Sequence, residues 1–180
     1  MSEHVKAKRE AGAITRWHVL PHIGVDTVAN HSWNATMLLL ELNPGASRAL
    51  IVYVLNHDVA ERWTGDVPTF CKRLFPAVHK GLKEAERHIE DQLELPSVLR
   101  LTDNERHWAE AVDALESALW CSEQRLMGNR MVDDTLKYLN NIIFNSDWVP
   151  AAVQVFYLDY ESERTTDYIS RGVPYEPVHE

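Results

Sequence analysis

The sequence predicts an all-α protein, a compact bundle of about six or seven helices in one domain spanning residues 1–180. Apolar residues recur every three to four positions along most of the chain, and no run shows the sustained period-two alternation of strands. Gly and Pro fall between these periodic segments. The 180 residues, 45% of them hydrophobic, suffice for a buried core, and no internal repeat or long linker divides them.

Seven helical segments follow from this pattern. Asn43-Pro44-Gly45 separates the second from the third. The fifth has the clearest start, because Thr102-Asp-Asn-Glu105 forms a capping box. It carries an apolar stripe through Trp108, Ala111, Val112, Leu115, Ala118 and Leu119. The predicted helices span about 2–13, 27–42, 46–62, 77–94, 103–127, 130–146 and 151–170. The tail, residues 171–180, holds two prolines and is predicted to be extended or loosely packed.

Composition and charge restrict the classes of partner. The net charge of −9 argues against a nucleic-acid polymer, whose phosphate backbone needs a basic face. No uninterrupted apolar stretch reaches membrane length, and the charged first ten residues lack the apolar region of a secretory signal. The two cysteines show no disulfide or metal-type spacing. We therefore expect a cytoplasmic protein with a small-molecule partner and no membrane partner. A homo-oligomeric state is a separate expectation.

Four residues make a ligand set for one divalent transition metal: His31, the adjacent pair His57-Asp58, and Asp113. They fall on three predicted helices, and helices converging on a core are how bundles build metal sites. Nitrogen and oxygen donors without thiolate suit Co, Mn, Zn, Ni or Fe. Taken singly, each residue has an ordinary alternative: a core histidine, a helix-end His-Asp pair, or a solvated aspartate.

The neighbours of these residues bring a family resemblance. Four segments occur in order: residues 16–17 (RW), 30–32 (NHS), 57–69 (HDVAERWTGDVPT) with Lys72, and 111–115 (AVDAL). Together they resemble the HD-domain phosphohydrolases, and within these the bacterial 5′-deoxynucleotidases and the phage dATP triphosphohydrolases. The resemblance spans roughly residues 14 to 130 and implies an HD-domain bundle with one divalent metal per chain. Asn30 departs from it, since these families often carry Glu before the first His.

Two carboxylates are candidates for proton transfer. Glu61 follows His57 by four residues and Asp58 by three, so on a helix it would face the same side and act as a general acid or base without ligating the ion. The resemblance implies that Asp66, after the turn at Gly65, orients or protonates at the reacting ester. The alternative is a surface pair between Glu61 and the adjacent arginine, with Asp66 capping a turn.

Other residues are candidates for substrate binding. Phosphate needs fixed cations, and Arg16 can clamp it bidentately while Lys72 supplies a point charge. The resemblance implies that Trp17 packs against the sugar and leaves no room for a 2′-hydroxyl, although single tryptophans are usually core residues. Val19 is a weaker candidate for the same wall.

The implied reaction is hydrolysis of the 5′ phosphoester of a 2′-deoxynucleotide. The compact spacing of the motifs and the supply of tryptophans favour dATP, cleaved to deoxyadenosine and triphosphate, with dADP and dAMP as further substrates. A broad 5′-deoxynucleotidase, releasing phosphate from deoxynucleoside monophosphates, is the alternative. A non-catalytic nucleotide-sensing HD domain would have no need of Glu61 and Asp66, and a purely structural helical adaptor would bind no stoichiometric metal.

Overall fold

The computed structural model describes residues 2–163, and within that range the protein is all-α, as predicted. Nine α-helices and one short 3₁₀ turn, Val98–Arg100, follow one another. The helices are α1 (Glu3–Ala11), α2 (Val28–Leu42), α3 (Arg48–Asn56), α4 (Glu61–Thr64), α5 (Thr69–Leu74), α6 (Pro76–Gln92), α7 (Asp103–Leu126), α8 (Asp133–Asn145) and α9 (Ala151–Glu163). Among the described residues, β-type backbone pairing is limited to one isolated antiparallel bridge between Thr15 and Thr27.

The seven predicted helices correspond to α1, α2, α3, α6, α7, α8 and α9, with ends that differ by a few residues at most of the boundaries. The short helices α4 and α5 were not predicted as separate elements. The predicted end of the last helix, residues 164–170, and the predicted loose tail, residues 171–180, lie outside the described residues. The single domain over the whole chain stays a prediction.

The prediction of one helix over 46–62 is wrong, because α3 ends at Asn56 and a turn precedes α4. Two side chains compete for the carbonyls of the last turn: the Asn56 amide donates to Val52 O at 2.7 Å, and the His57 ring donates from Nδ1 to Val54 O at 2.7 Å. Beyond this point the backbone N–H groups bond three residues back, as from Glu61 N to Asp58 O. Such tighter winding is typical of 3₁₀ turns. The His-Asp pair therefore lies in a turn between two helices.

Helix α7 is the centre of the bundle and packs against α2, α3, α8 and α9. Its predicted capping box is present, with the Thr102 hydroxyl and the Glu105 carboxylate each accepting from the other's backbone N–H. Ala111, Val112, Leu115 and Ala118 of the predicted stripe are fully buried, and Trp108 and Leu119 are half-buried.

The core has two parts, one on each side of α7. On one side Leu39 of α2 and Leu50 and Val54 of α3 pack around Val112. On the other side Ile143 of α8 and Tyr157 of α9 pack around α7. This arrangement brings the first turn of α2, the end of α3 and the middle of α7 together. Among the helices of residues 2–163, not one is both long and apolar enough to cross a membrane.

Candidate metal centre and active site

The four residues predicted as metal ligands meet at the junction of α2, α7 and the turn after α3. His31 Nε2 lies 3.3 Å from His57 Nε2 and 3.0 Å from Asp113 Oδ1. The nearer oxygen of Asp58, Oδ2, lies 3.3 Å from His57 Nε2 and 3.7 Å from His31 Nε2. Four donor atoms from three parts of the chain therefore converge on one small volume.

Both imidazoles direct Nε2 toward this volume because their Nδ1 atoms are engaged elsewhere. His57 Nδ1 donates to the Val54 carbonyl, and His31 Nδ1 donates to the Glu116 carboxylate. An Nδ1–H bond of this kind leaves the Nε2 lone pair available and fixes the ring orientation, as in metal-ligating histidines. With a metal in place of the Nε2 proton, both histidines would be Nδ1–H tautomers that present Nε2 to the ion.

The charges at the cluster favour a cation. Burial and the charge of Arg16 oppose protonation of His31, but hydrogen bonds to Asp113 and Glu116 outweigh them and raise the pKa of His31 to about 10. Although desolvation acts in the opposite direction, hydrogen bonding from His31 holds the pKa of Asp113 below its usual range. The carboxylates therefore stabilise a positive charge between them.

The donor set fits a divalent transition metal. One ligand atom each from His31, His57 and Asp113 lies within 4.8 Å of the others, and the Asp58 carboxylate flanks both imidazoles. Ligand atoms bound about 2.0–2.2 Å from one ion lie roughly 3–3.5 Å apart, close to the separations found here. A core histidine, a helix-end His-Asp pair and a solvated aspartate would each explain one of these residues, but they do not explain why the residues meet.

Glu61 lies at the start of α4, beside the cluster, with an unusual environment. Burial, followed by the charges of Asp58 and Asp66, raises the pKa of Glu61 to about 9. Its Oε2 is one of two buried side-chain polar atoms in the described residues that have no hydrogen-bond partner. The alternative of a surface pair with Arg62 is wrong, because Arg62 donates to Glu3 and Glu10 of α1.

Asp66 and Trp17 are joined by a hydrogen bond between distant parts of the chain. The Trp17 backbone N–H donates to Asp66 Oδ2 at 3.2 Å, so Asp66 does more than cap a local turn. The Trp17 ring stacks on Trp120 of α7, with centroids 4.5 Å apart and planes inclined by 4°. Trp17 also has a positive φ of 60°, a conformation rare for a bulky residue.

The predicted substrate cations differ in their surroundings. Arg16 is buried, and its guanidinium donates to Glu116 and Ser117 at 3.4 Å each. Lys72 is half-buried on α5, and its charge is felt at Glu61. Val19 is 45% exposed in the loop after Trp17, and its role in a substrate wall stays a prediction.

Sequence reasoning missed two buried carboxylates that support the site, Glu116 and Asp26. Glu116 accepts from His31, Arg16 and Asn34. Its position three residues after Asp113, on the same face of α7, was the available signal. Asn30, the departure from the family pattern, is exposed, so Glu116 rather than residue 30 supports His31. Asp26 lies in a loop, and no spacing indicated its role.

A curated phage protein is similar in sequence to part of this chain. The dATP triphosphohydrolase of Salmonella phage PMBT28 is 33% identical over 86 residues, which cover 41% of this chain and 44% of that protein. The match thus spans less than half of either chain.

A solved structure shares the fold: the HD phosphohydrolase DatZ of cyanophage S-2L, described as bound to dA and one catalytic Zn²⁺ ion. It has a TM-score of 0.63 and 21% identity, and the match covers 92% of this chain and 96% of that one. The family described as 5′-deoxynucleotidase YfbR-like matches residues 8–160. The chain belongs to the YfbR-like 5′-deoxynucleotidase family of HD phosphohydrolases.

Proposed function

We propose that this protein is a metal-dependent phosphohydrolase that cleaves the 5′ phosphoester of 2′-deoxyribonucleotides. The observation that carries the proposal is the convergence of two imidazole Nε2 atoms and two carboxylates beside the buried Oε2 atom of Glu61. We assign His31, His57, Asp58 and Asp113 as the ligands of one divalent ion. When bound, such an ion supplies a Lewis acid for a phosphoryl oxygen and an acidified water as nucleophile.

Glu61 and Asp66 are the proton-transfer residues of this proposal. The buried, unpartnered Oε2 of Glu61 is available to exchange a proton with the attacking water or the leaving 5′ oxygen. Asp66 accepts from the Trp17 backbone, which holds its carboxylate beside the loop that carries Trp17, and we assign it to orienting the reacting ester there. A non-catalytic sensor would need neither arrangement.

Arg16 and Lys72 supply fixed positive charge for the phosphate. The charge of Arg16 is close enough to Asp58 and Asp113 for all three to interact. Held by buried partners, this guanidinium is oriented before substrate arrives, and preorganised charge is what stabilises a developing transition-state charge. Lys72 approaches from α5 and adds a second cation beside Glu61.

Trp17, with Val19 as a weaker second element, forms the wall that excludes a 2′-hydroxyl. A large ring stacked rigidly on Trp120 discriminates by exclusion, because an added hydroxyl has no space to occupy. Selection for the deoxy sugar then follows from shape.

For the favoured substrate we propose dATP, hydrolysed to deoxyadenosine and triphosphate, with dADP and dAMP as further substrates. The phage relative named a dATP triphosphohydrolase supports this choice. The family description supports the second candidate, a broad 5′-deoxynucleotidase that releases phosphate from deoxynucleoside monophosphates. We also propose that the protein acts as a homo-oligomer on free nucleotides in the cytoplasm.

A product assay separates these candidates. Purified protein is incubated with Co²⁺ or Mn²⁺ and each dNMP, dNTP, AMP and ATP, and the products are resolved by ion-exchange chromatography. Triphosphate from dATP supports the favoured substrate, and phosphate from several dNMPs supports the alternative. Equal rates on AMP and dAMP would refute the selectivity for deoxynucleotides. An absence of turnover on all substrates would favour the non-catalytic nucleotide-sensing domain.

A further inference from the structure

We propose that Asp26 is a positioning residue that holds the indole of Trp17 and thereby sets the discrimination against ribonucleotides. The inference rests on the proposed role of Trp17 as the wall against the 2′-hydroxyl. Asp26 itself is 4% exposed, so it acts through the tryptophan and not by touching a substrate.

The contact between the two side chains is direct. Trp17 Nε1–H donates to Asp26 Oδ2 at 3.1 Å, and the same oxygen lies 3.6 Å from Arg16 Nη1. A hydrogen bond to an ionised acceptor is stronger than one between neutral groups. The carboxylate therefore fixes the edge of the ring that carries Nε1, while stacking on Trp120 fixes its face.

Asp26 is itself held in place by backbone pairing. Arg16 N–H donates to the Asp26 carbonyl at 3.1 Å, and Val28 N–H donates to the Ile14 carbonyl at 3.0 Å. These bonds flank the isolated bridge between Thr15 and Thr27. The segment carrying the acceptor and the segment carrying the indole are thus paired next to the contact.

The backbone of Trp17 makes such restraint necessary. A positive φ of 60° is strained in a bulky residue and persists only where surrounding contacts determine it. Three contacts do so: the N–H bond to Asp66, the Nε1–H bond to Asp26 and the stack on Trp120. Without Asp26 the loop can relax and the ring can turn, and a wall that moves admits the extra hydroxyl.

The test uses the full-length protein and four variants: Asp26→Ala, Asp26→Asn, Trp17→Phe and the double variant of Asp26→Ala with Trp17→Phe. The first readout is the hydrogen exchange of the Trp17 indole N–H by NMR, whose resonance is assigned by its loss in Trp17→Phe. The second is the ratio of kcat/KM for dAMP over AMP and for dATP over ATP. The ribo and deoxy substrates carry the same phosphates, so a change at Arg16 should affect both rates equally and cancel in the ratio.

We expect Asp26→Ala to accelerate indole exchange and to lower the deoxy-to-ribo ratio, each by about tenfold or more. Asp26→Asn keeps an acceptor oxygen while losing the charge that faces Arg16. Its indole exchange rate and its deoxy-to-ribo ratio should therefore lie close to those of the wild type. In the Trp17→Phe background, which lacks the N–H donor, Asp26→Ala should lower the ratio no further.

Unchanged indole exchange in Asp26→Ala would overturn the proposal. It would also be overturned if Asp26→Ala lowered the deoxy-to-ribo ratio as much in the Trp17→Phe background as in the wild type. If the wild type hydrolyses no nucleotide, the proposed function fails, while the exchange measurement still decides whether Asp26 holds the indole. A wild type that cleaves AMP and dAMP equally would refute the selectivity and leave the hydrolase assignment intact.

Discussion

Glu61 differs from Glu116 and Asp26, the two buried carboxylates that support the site. Glu116 and Asp26 each face Arg16 and accept hydrogen bonds, so their charge is compensated inside the protein. Glu61 Oε2 has no such partner among residues 2–163, and a buried polar atom left unpaired costs about 1–3 kcal/mol. Buried polar atoms left unpaired at such a cost are typical of functional sites, where a proton or a bound ligand supplies the missing partner.

Replacing Glu61 with Gln tests whether it transfers protons. The amide keeps the shape and hydrogen-bonding reach of the side chain but cannot exchange a proton with the ester, and losing general acid–base catalysis costs on the order of 10²–10⁴ in rate. We expect kcat on the preferred deoxynucleotide to fall by that amount, with metal content unchanged. Steady-state kinetics and elemental analysis measure both quantities.

Glu84→Gln, at an exposed site on α6, is the matched control and should leave kcat unaltered. Loss of metal from Glu61→Gln would make Glu61 a ligand. A near-normal kcat would leave Asp66 as the remaining carboxylate for proton transfer.

Replacing Glu116 with Gln tests the support of His31. The carboxylate fixes the ring and increases the basicity of Nε2, and losing an outer partner of this kind typically lowers metal affinity about 10–100-fold. We expect the Kd for Co²⁺, measured by titration of the apoprotein, to rise within that range. Glu123→Gln, an exposed position on the same helix, should leave it unchanged, and an unaltered Kd in Glu116→Gln would contradict the assignment.

At the scale of elements, the interruption between α3 and α4 shapes the site. Periodicity indicates one continuous helix over 46–62, and nothing in the propensities of residues 57–60 forbids it. The interruption follows from hydrogen bonds of Asn56 and His57 to carbonyls within α3, together with tertiary contacts of His57. Such competition depends on the folded environment, and so it was not predictable from the pattern alone.

Gly65 ends α4 and directs the chain into Asp66, with φ 71° and ψ 166°. This region of backbone space is essentially restricted to glycine, and occupying it with another residue costs about 1–3 kcal/mol. We expect Gly65→Ala to lower the free energy of unfolding by that amount, measured by urea denaturation, and to reduce activity by displacing Asp66.

Gly81→Ala provides a control of opposite sign. Gly81 lies inside α6 with open space around it, so alanine should raise the free energy of unfolding by about 0.5–1 kcal/mol. Equal effects of the two substitutions would contradict the assigned conformation of Gly65.

At the scale of the whole molecule, the site is assembled from distant segments: residues 16–17, 26, 31, 57–66 and 113–117. Helix α7 joins them, since it contributes Asp113 and Glu116 to the site and the stripe around Val112 to the core. An ion bound by α2, α7 and the turn after α3 would therefore connect three elements and stabilise the folded state by RT ln(1 + c/Kd), where c is the free ion concentration, an amount that grows with the logarithm of its affinity.

The sequence predicted the all-α fold, most of the helices to within a few residues and the convergence of His31, His57, Asp58 and Asp113, because helical period and motif order can be read from the sequence itself. The supporting contacts were not predictable in the same way. Asp26 reaches Trp17 across a loop whose course no periodicity describes, and the buried state of Arg16 depends on how α7 packs. Long-range polar contacts arise from tertiary structure, so they need coordinates.

The central claim is that four residues bind one divalent ion, and metal stoichiometry tests it most directly. Apoprotein is loaded with Co²⁺, dialysed and measured by elemental analysis, for the wild type, Asp113→Ala and the exposed control Asp134→Ala, with circular dichroism verifying that each is folded. The account predicts about one ion per chain in the wild type and in Asp134→Ala, and far less in Asp113→Ala. Full occupancy in folded Asp113→Ala, or none in the wild type, would contradict it.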